Sequence, residues 1–355
     1  MASGELLFRE SSLRLLDDET REGLLNGNNG ITASTSSCSV ITATAVNGGS
    51  NSELNNREEN ISKKKLFTWD EIPEWQRDNH YIRKGYVRET LSFELCLDSL
   101  SYFHNESVNI YTHLIPGFSV LLSLGFFLIL GKHFIPAYLS TTFLDYFFID
   151  LFLFGLSCCL SLSAGFHCFK CHSDPILRLG NKFDYLGIVT LIVTSMVGII
   201  YYSYIDHPLI LYFFASITFI LGFICSIISI KEKFSHPDFR AIRAFMFIIF
   251  GLSGVFPVLY GIHTFGWDES VKRSSLNYLI MEGALYITGA LLYAFRIPEK
   301  FNPGKYDFIG HSHQIFHLFV ISALYCHWHQ LIIFLQLFIN KFLSKRPSFV
   351  NKYNS

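Results

Sequence analysis

Two histidines stand four residues apart at the mouth of the last long apolar run, in Gly310-His311-Ser312-His313-Gln314-Ile315-Phe316-His317. On a helix, His313 and His317 share one face a turn apart. Paired imidazoles of this kind grip a transition metal, and two of them with one more ligand suit Zn²⁺. The spacing alone is weak, because histidines at i and i+4 are more often ordinary polar residues. It gains force only if another ligand arrives at the same depth of the same structure.

Whether one arrives depends on the elements that carry these residues. The chain has 355 residues, 50% of them hydrophobic and 16% aromatic. Residues 1–65 are rich in Ser, Thr, Asn, Gly and Glu and read as a disordered tail. The apolar residues are therefore concentrated downstream, as in a polytopic membrane protein. A net charge of -1 gives no reason to expect nucleic acid. Eight thinly spread cysteines do not resemble a secreted disulfide framework. No apolar segment near Met1 suggests a cleaved signal peptide. Residues 66–111 mix apolar and charged positions and read as an amphipathic segment leading to the membrane or lying along its surface.

Seven apolar runs follow, each long enough to cross a bilayer: Thr112–Leu130, Phe147–His167, Asp184–Ser203, Pro208–Ile230, Ala241–His263, Asn277–Ile297 and Gln314–Phe338. The expected fold is an all-α, seven-transmembrane helix bundle over 112–338, with 339–355 as a C-terminal tail. Lys170, Arg178 and Lys182 follow the second run, Lys231, Lys233, Arg240 and Arg243 the fourth, and Arg296, Lys300 and Lys305 the sixth. The opposite loops carry fewer such residues. The positive-inside rule therefore puts the N-terminus in the cytosol and the C-terminal tail outside. Lys341, Lys345, Arg346 and Lys352 in that tail point the other way. This orientation is inverted relative to G-protein-coupled receptors.

With these spans, His167 at the end of the second run, Asp184 at the start of the third, and His313 and His317 in the seventh all fall on the cytosolic side. An error of one span would scatter them. Three neutral imidazoles with an open fourth position describe a catalytic rather than a structural zinc site. Asp184 either binds the metal or holds its water. The second role lets it serve as general base and then acid. Ser163, one turn before His167, either contacts a substrate carbonyl or the water, or is a packing serine bonded to backbone.

Ser163-Ala164-Gly165-Phe166-His167, Asp184, and Ser312 through His317 resemble the three hallmark motifs of the progestin and adipoQ receptor family, which includes adiponectin receptors and haemolysin-III-like proteins. His104 through His113 and Arg296-Ile297-Pro298-Glu299-Lys300-Phe301 support the resemblance, which covers about Leu66 to Phe338. Trp69 through Asn79 and Gly85 through Thr90 look most like the fungal branch. The resemblance implies zinc held by His167, His313 and His317, with Asp184 reaching it through water. It also implies links to ceramide hydrolysis, sterol and lipid metabolism and zinc homeostasis.

Three function classes remain. One is a zinc-dependent lipid amide (ceramide) hydrolase fed from the bilayer. Another is a receptor or regulator with structural zinc and room for an extracellular protein ligand. The third is a zinc or proton transporter, which ranks last because transport sites usually lie near the midplane. The expected location is the endoplasmic reticulum or plasma membrane. Cys168-Phe169-Lys170-Cys171-His172 fits a c-type haem attachment pattern, but it lies in a short loop on the cytosolic side. The sequons at Asn60 and Asn105 should stay unmodified on this topology. Glu282 should face the bundle interior. His327 and His329 lie well away from the metal. His104, Glu106, Asn109 and His113 read as polar groups supporting the site. Gly251, Gly254 and Pro257 should bend the fifth span around an internal cavity.

Overall fold

Helix boundaries follow local signals more than the apolar runs do. The computed structural model describes residues 65–130 and 143–345. All of these belong to one compact unit, Ser62–Ser355. The expectations for residues 1–64 and 346–355, including Asn60, lie outside the described residues.

A short antiparallel ribbon opens the described chain, with β1 at Phe67–Thr68 and β2 at Lys84–Tyr86. A helical turn at Glu74–Gln76 lies between them, and α1, Phe93–Asp98, follows. The long helices are α2 Ser107–Leu130, α3 Phe143–Phe169, α4 Asp174–Tyr204 and α5 Pro208–Ser229. A four-residue helix, α6 Glu232–Ser235, precedes α7 Arg240–Leu252 and α8 Val255–Phe265. Then come α9 Trp267–Ser274, α10 Leu276–Phe295 and α11 Ser312–Lys345.

Six segments among the described residues are long and apolar enough to span a bilayer: α3, α4, α5, α7 with α8, α10, and the Ser312–Phe334 part of α11. The 24-residue α2 stands where the first span was expected. Side chains on the outside are those that lipid favours. Leu209 is 85% exposed and Phe223 67%, whereas Glu282 is 6% and His327 0%. Apolar surface outside and ionisable groups inside is the pattern of a bundle whose solvent is hydrocarbon.

α3 lies along α4, and α10 along α11. Phe152, Leu156 and Leu160 of α3 meet Leu191 and Tyr201 of α4 and Val320 and Leu324 of α11 in the main core. Gly187 permits the α3–α4 approach: a Cβ there would sit 2.9 Å from Cys159 Cα. Small residues at such crossings let backbones close up.

Two expected boundaries move. α4 begins at Asp174, so Asp184 lies nearly three turns inside it rather than at its start. Ser173 stands at the N-cap with Pro175 in the first turn, a start signal independent of hydrophobicity. The polar residues Arg178 and Lys182 thus continue the helix beyond the apolar run. α11 likewise extends past the expected end at Phe338, to Lys345. The α-helical pattern is interrupted between α7 and α8 at Ser253-Gly254, and Gly251, Gly254 and Pro257 line an internal cavity as expected.

Residues 66–111 pack on the end of the bundle. Arg83 N–H donates to Asp307 Oδ1 at 2.7 Å, and Asn79 Nδ2 to Glu299 Oε1 at 3.1 Å. Arg240 pairs with Asp78 at 2.5 Å. Burial alone would raise the Asp78 carboxyl, but Arg240, Lys170 and Arg296 outweigh it and hold the group well below the usual carboxylate range. In α1, Phe93, Leu95 and Leu97 stay exposed while Cys96 is fully buried.

Candidate metal centre

The opening of α2 works as a jig for the histidines. His104 N–H donates to Ser107 Oγ at 2.9 Å, closing the first turn. The Glu106 carboxylate that this turn presents accepts from Asn109 Nδ2 at 2.6 Å, Lys170 Nζ at 2.7 Å and His167 Nδ1 at 2.8 Å. A carboxylate can only accept, so Nδ1 of His167 carries a proton, and in the neutral imidazole Nε2 then keeps its lone pair. That Nε2 is buried and has no hydrogen-bond partner among the described residues. One turn on, the Asn109 carbonyl lies 3.1 Å from His317 Nδ1, which fixes the same tautomer there. Carboxylates and carbonyls behind metal-binding imidazoles orient them in this way.

Burial would raise Glu106 and lower Lys170, yet the pair holds both charged. Lys170 keeps Glu106 well below the usual carboxylate range, and Glu106 raises Lys170.

The N-terminus of α11 is clamped by groups from three directions. Glu299, wholly buried, accepts from the Ser312 backbone N–H at 2.8 Å and from its hydroxyl. Gln314 Nε2 donates to the Phe308 carbonyl at 2.9 Å and to that of Asn105 at 3.3 Å. His113 stacks flat on His317, ring centroids 3.7 Å apart and 2° from parallel.

His167, His313 and His317 come together as the sequence led us to expect. Each offers a nitrogen, and these lie within 4.8 Å of one another. The ring centroids are 4.7–5.0 Å apart. Asp184 does not join this cluster. It is buried, hydrogen-bonded to Ser163, and shares the wall of a large cavity with His313. Ser163 is itself buried and hydrogen-bonded to Asp184. The cavity measures about 610 Å³ and is mostly apolar, with Tyr185, Arg243 and Tyr293 near Asp184 and with Glu282 and Arg273 further along.

Several participants escaped the sequence reading. In the sequence Glu106 reads only as a supporting polar group; its reach to His167 has no local signature. Arg240 and Arg243 were counted as loop charges, yet each is only 4% exposed. Arg240 lies over the Tyr293 ring at 4.6 Å and Arg243 over Tyr185 at 5.0 Å. Their place at the start of an apolar run was the available signal. Glu282 turns inward and meets His327 Nδ1 at 3.1 Å. Asn105 is 4% exposed, which leaves its sequon inaccessible in the fold.

Fold and site together define a polytopic helical membrane protein with a buried three-histidine cluster that could hold a metal. Residues 101–328 match the Haemolysin-III related family. The chain is 50% identical over 266 residues to the ADIPOR-like receptor IZH2 of Saccharomyces cerevisiae, covering 74% of this chain and 82% of that protein. It is 38% identical over 267 residues to the adiponectin receptor protein of Drosophila melanogaster, covering 75% and 58% respectively. It is 29% identical over 346 residues to heptahelical transmembrane protein 4 of Arabidopsis thaliana, covering 77% and 89%. The chain belongs to the haemolysin-III-related, adiponectin-receptor-like family of membrane proteins.

Proposed function

We propose that this protein is a zinc-dependent hydrolase that cleaves the amide of a ceramide-type lipid. The observation carrying this reading is the three-histidine cluster beside a mostly apolar cavity of about 610 Å³ that also holds Asp184. Three imidazoles, two of them (His167 and His317) with Nδ1 anchored from behind, and a buried Nε2 on His167 without a hydrogen-bond partner among the described residues, fit zinc. An all-nitrogen cluster is a poor cage for calcium or magnesium. Zinc bound there supplies a Lewis acid and brings the pKa of water towards neutrality.

The chain's own groups do the rest. Ser163 fixes the Asp184 carboxylate. Asp184 takes a proton from the water that adds to the amide carbonyl and delivers one to the departing nitrogen. The C–N bond breaks to give a fatty acid and a sphingoid base. The cavity wall holds the apolar chains, which enter between helices from the bilayer. On this reading the N-terminal segment, and with it the histidines, faces the cytosol from the endoplasmic reticulum or plasma membrane, an orientation that the Lys and Arg balance of the loops supports. A role in sterol and lipid metabolism and zinc homeostasis follows from the same reading.

Purified protein given ceramide should release sphingoid base, and a chelator or His313→Ala should stop it. Release no greater than that of His313→Ala defeats the proposal. The yeast and fly relatives, both named as receptors, support a second reading, a receptor in which the metal only ties α3 to α11. On that reading metal removal lowers the melting temperature, no turnover exists to lose, and signalling survives Asp184→Asn. A protein ligand would then meet the outer face.

A further inference from the structure

The cysteines of the haem-like pattern lie against a third from far earlier in the chain. Cys171, at the turn after α3, has its Sγ 3.5 Å from Cys96 Sγ on α1. Both residues are buried and unbridged. Backbone bonds flank the contact: Thr90 N–H donates to the Cys171 carbonyl at 2.9 Å, and Leu91 N–H to that of His172 at 3.0 Å. The two sulfurs are thus held face to face by a clamp that does not depend on them. A disulfide needs them at about 2.03–2.05 Å, so the sulfurs must move closer by only part of the present separation.

The surroundings suit thiol chemistry. Cys171 donates to Cys96 and Thr90 Oγ1 lies 3.2 Å from Cys96 Sγ. The Cys171 contact, then that of Thr90, outweigh burial and bring the Cys96 thiol down to about 7. The partner thiol is pushed the other way, first by that same hydrogen bond and then by burial. One thiolate shared across two sulfurs is the reactive form of such a pair. A cavity of about 20 Å³ reaches the pair from the Cys171 side, lined by Cys168, Cys171, Lys170, His104, Glu106 and His167. That is room for one molecule the size of water, which selects a very small oxidant over a lipid or a protein disulfide.

We infer that Cys96 and Cys171 form a modification site at which hydrogen peroxide makes a disulfide joining α1 to the turn after α3. The thiolate sulfur attacks one peroxide oxygen; an S–O bond forms, the O–O bond breaks, and the departing hydroxide takes a proton to become water. The second thiol then attacks the sulfenic sulfur. The S–S bond forms, the S–O bond breaks, and the leaving hydroxyl takes that thiol's proton as a second water. Two thiols lose two electrons and two protons, and one peroxide becomes two waters.

The test uses the full chain in detergent micelles, treated with hydrogen peroxide, blocked with an alkylating reagent, digested and analysed by mass spectrometry. A Cys96–Cys171 linked peptide is expected at peroxide doses that leave Cys225 and Cys326 alkylated. It should be abolished in Cys171→Ser and retained in Cys168→Ser. Thr90→Val, which keeps both sulfurs, should slow its formation several-fold. Thermal melts of the reduced proteins establish that each variant is folded. The inference is overturned by a Cys168–Cys171 link in its place, by oxidation of either cysteine only to sulfinic acid, or by both thiols remaining reduced when the other cysteines react. A metal that co-purifies on Cys96 and Cys171 and shields them overturns it too.

Discussion

Glu106→Gln is the sharpest perturbation of the jig. The carboxylate accepts three bonds of 2.6–2.8 Å, from Asn109, Lys170 and His167. Glutamine keeps the size and one acceptor oxygen but loses the charge. Two separate losses follow. His167 loses the anion that holds its Nδ1 proton, which for a carboxylate behind a metal-bound imidazole is worth about 10–100-fold in metal affinity, or about 1.4–2.7 kcal/mol. Lys170, whose side chain is only 15% exposed, loses its counter-ion, at about 1.5–3 kcal/mol of stability for a hydrogen bond to a charged group. Zinc titration of solubilised protein against a competing fluorescent chelator measures the first, and thermal melting of the metal-free protein measures the second. Glu106→Gln with Lys170→Met separates them: stability should return because no buried charge is stranded, while affinity stays low. If the double variant regains both, the carboxylate acts through Lys170 and not His167, and the jig is refuted. Unchanged affinity in a folded Glu106→Gln protein refutes it as well.

Asp184→Asn should retain bound zinc, because Asp184 lies outside the histidine cluster, while turnover falls by about 10²–10⁴; metal analysis and product release on one sample check both, and loss of the metal would show Asp184 to be a ligand. Glu282→Leu removes the hydrogen-bond acceptor of a fully buried His327 and should cost about 1–3 kcal/mol, read by denaturation in micelles; a change under about 0.5 kcal/mol contradicts the buried contact. At the far end of the bundle, Arg273 grips Asp206 at 2.6 and 2.8 Å and draws its carboxyl down to about 2 against the opposing push of burial. A folded value below the unfolded one stabilises fully above an ordinary carboxylate value of about 4, and the contribution is lost as pH falls from there through about 2. Because Asp206 is 45% exposed, the effect is at most about 1 kcal/mol. The melting difference between the parent and Asp206→Asn should therefore shrink on acidification, and a difference that persists below pH 2 contradicts the assignment.

The sequence by itself determined what is periodic or local. Runs of about 20 apolar residues report hydrocarbon directly, so the spans were legible from composition alone. His313 and His317 were legible because four residues make one helical turn. His167 followed from counting spans, since antiparallel neighbours return alternate helix ends to one face. The interruption near Gly254 was readable because glycine and proline weaken helices by local sterics. Apolar runs mark lipid, not helix ends, which is why Asp184 was placed at the start of α4 instead of nearly three turns in.

Only the tertiary structure decided which partner each polar group takes. Glu106 bonds His167 across 61 residues, and the Asn109 carbonyl bonds His317 across 208. Arg240 and Arg243 have the sequence of loop cations but are buried over tyrosines. Asp184 lies near the histidines yet turns to Ser163. Each outcome depends on distances between helices remote in the chain. A side chain's type sets what it can bond; only the packed bundle sets what comes within 3 Å of it.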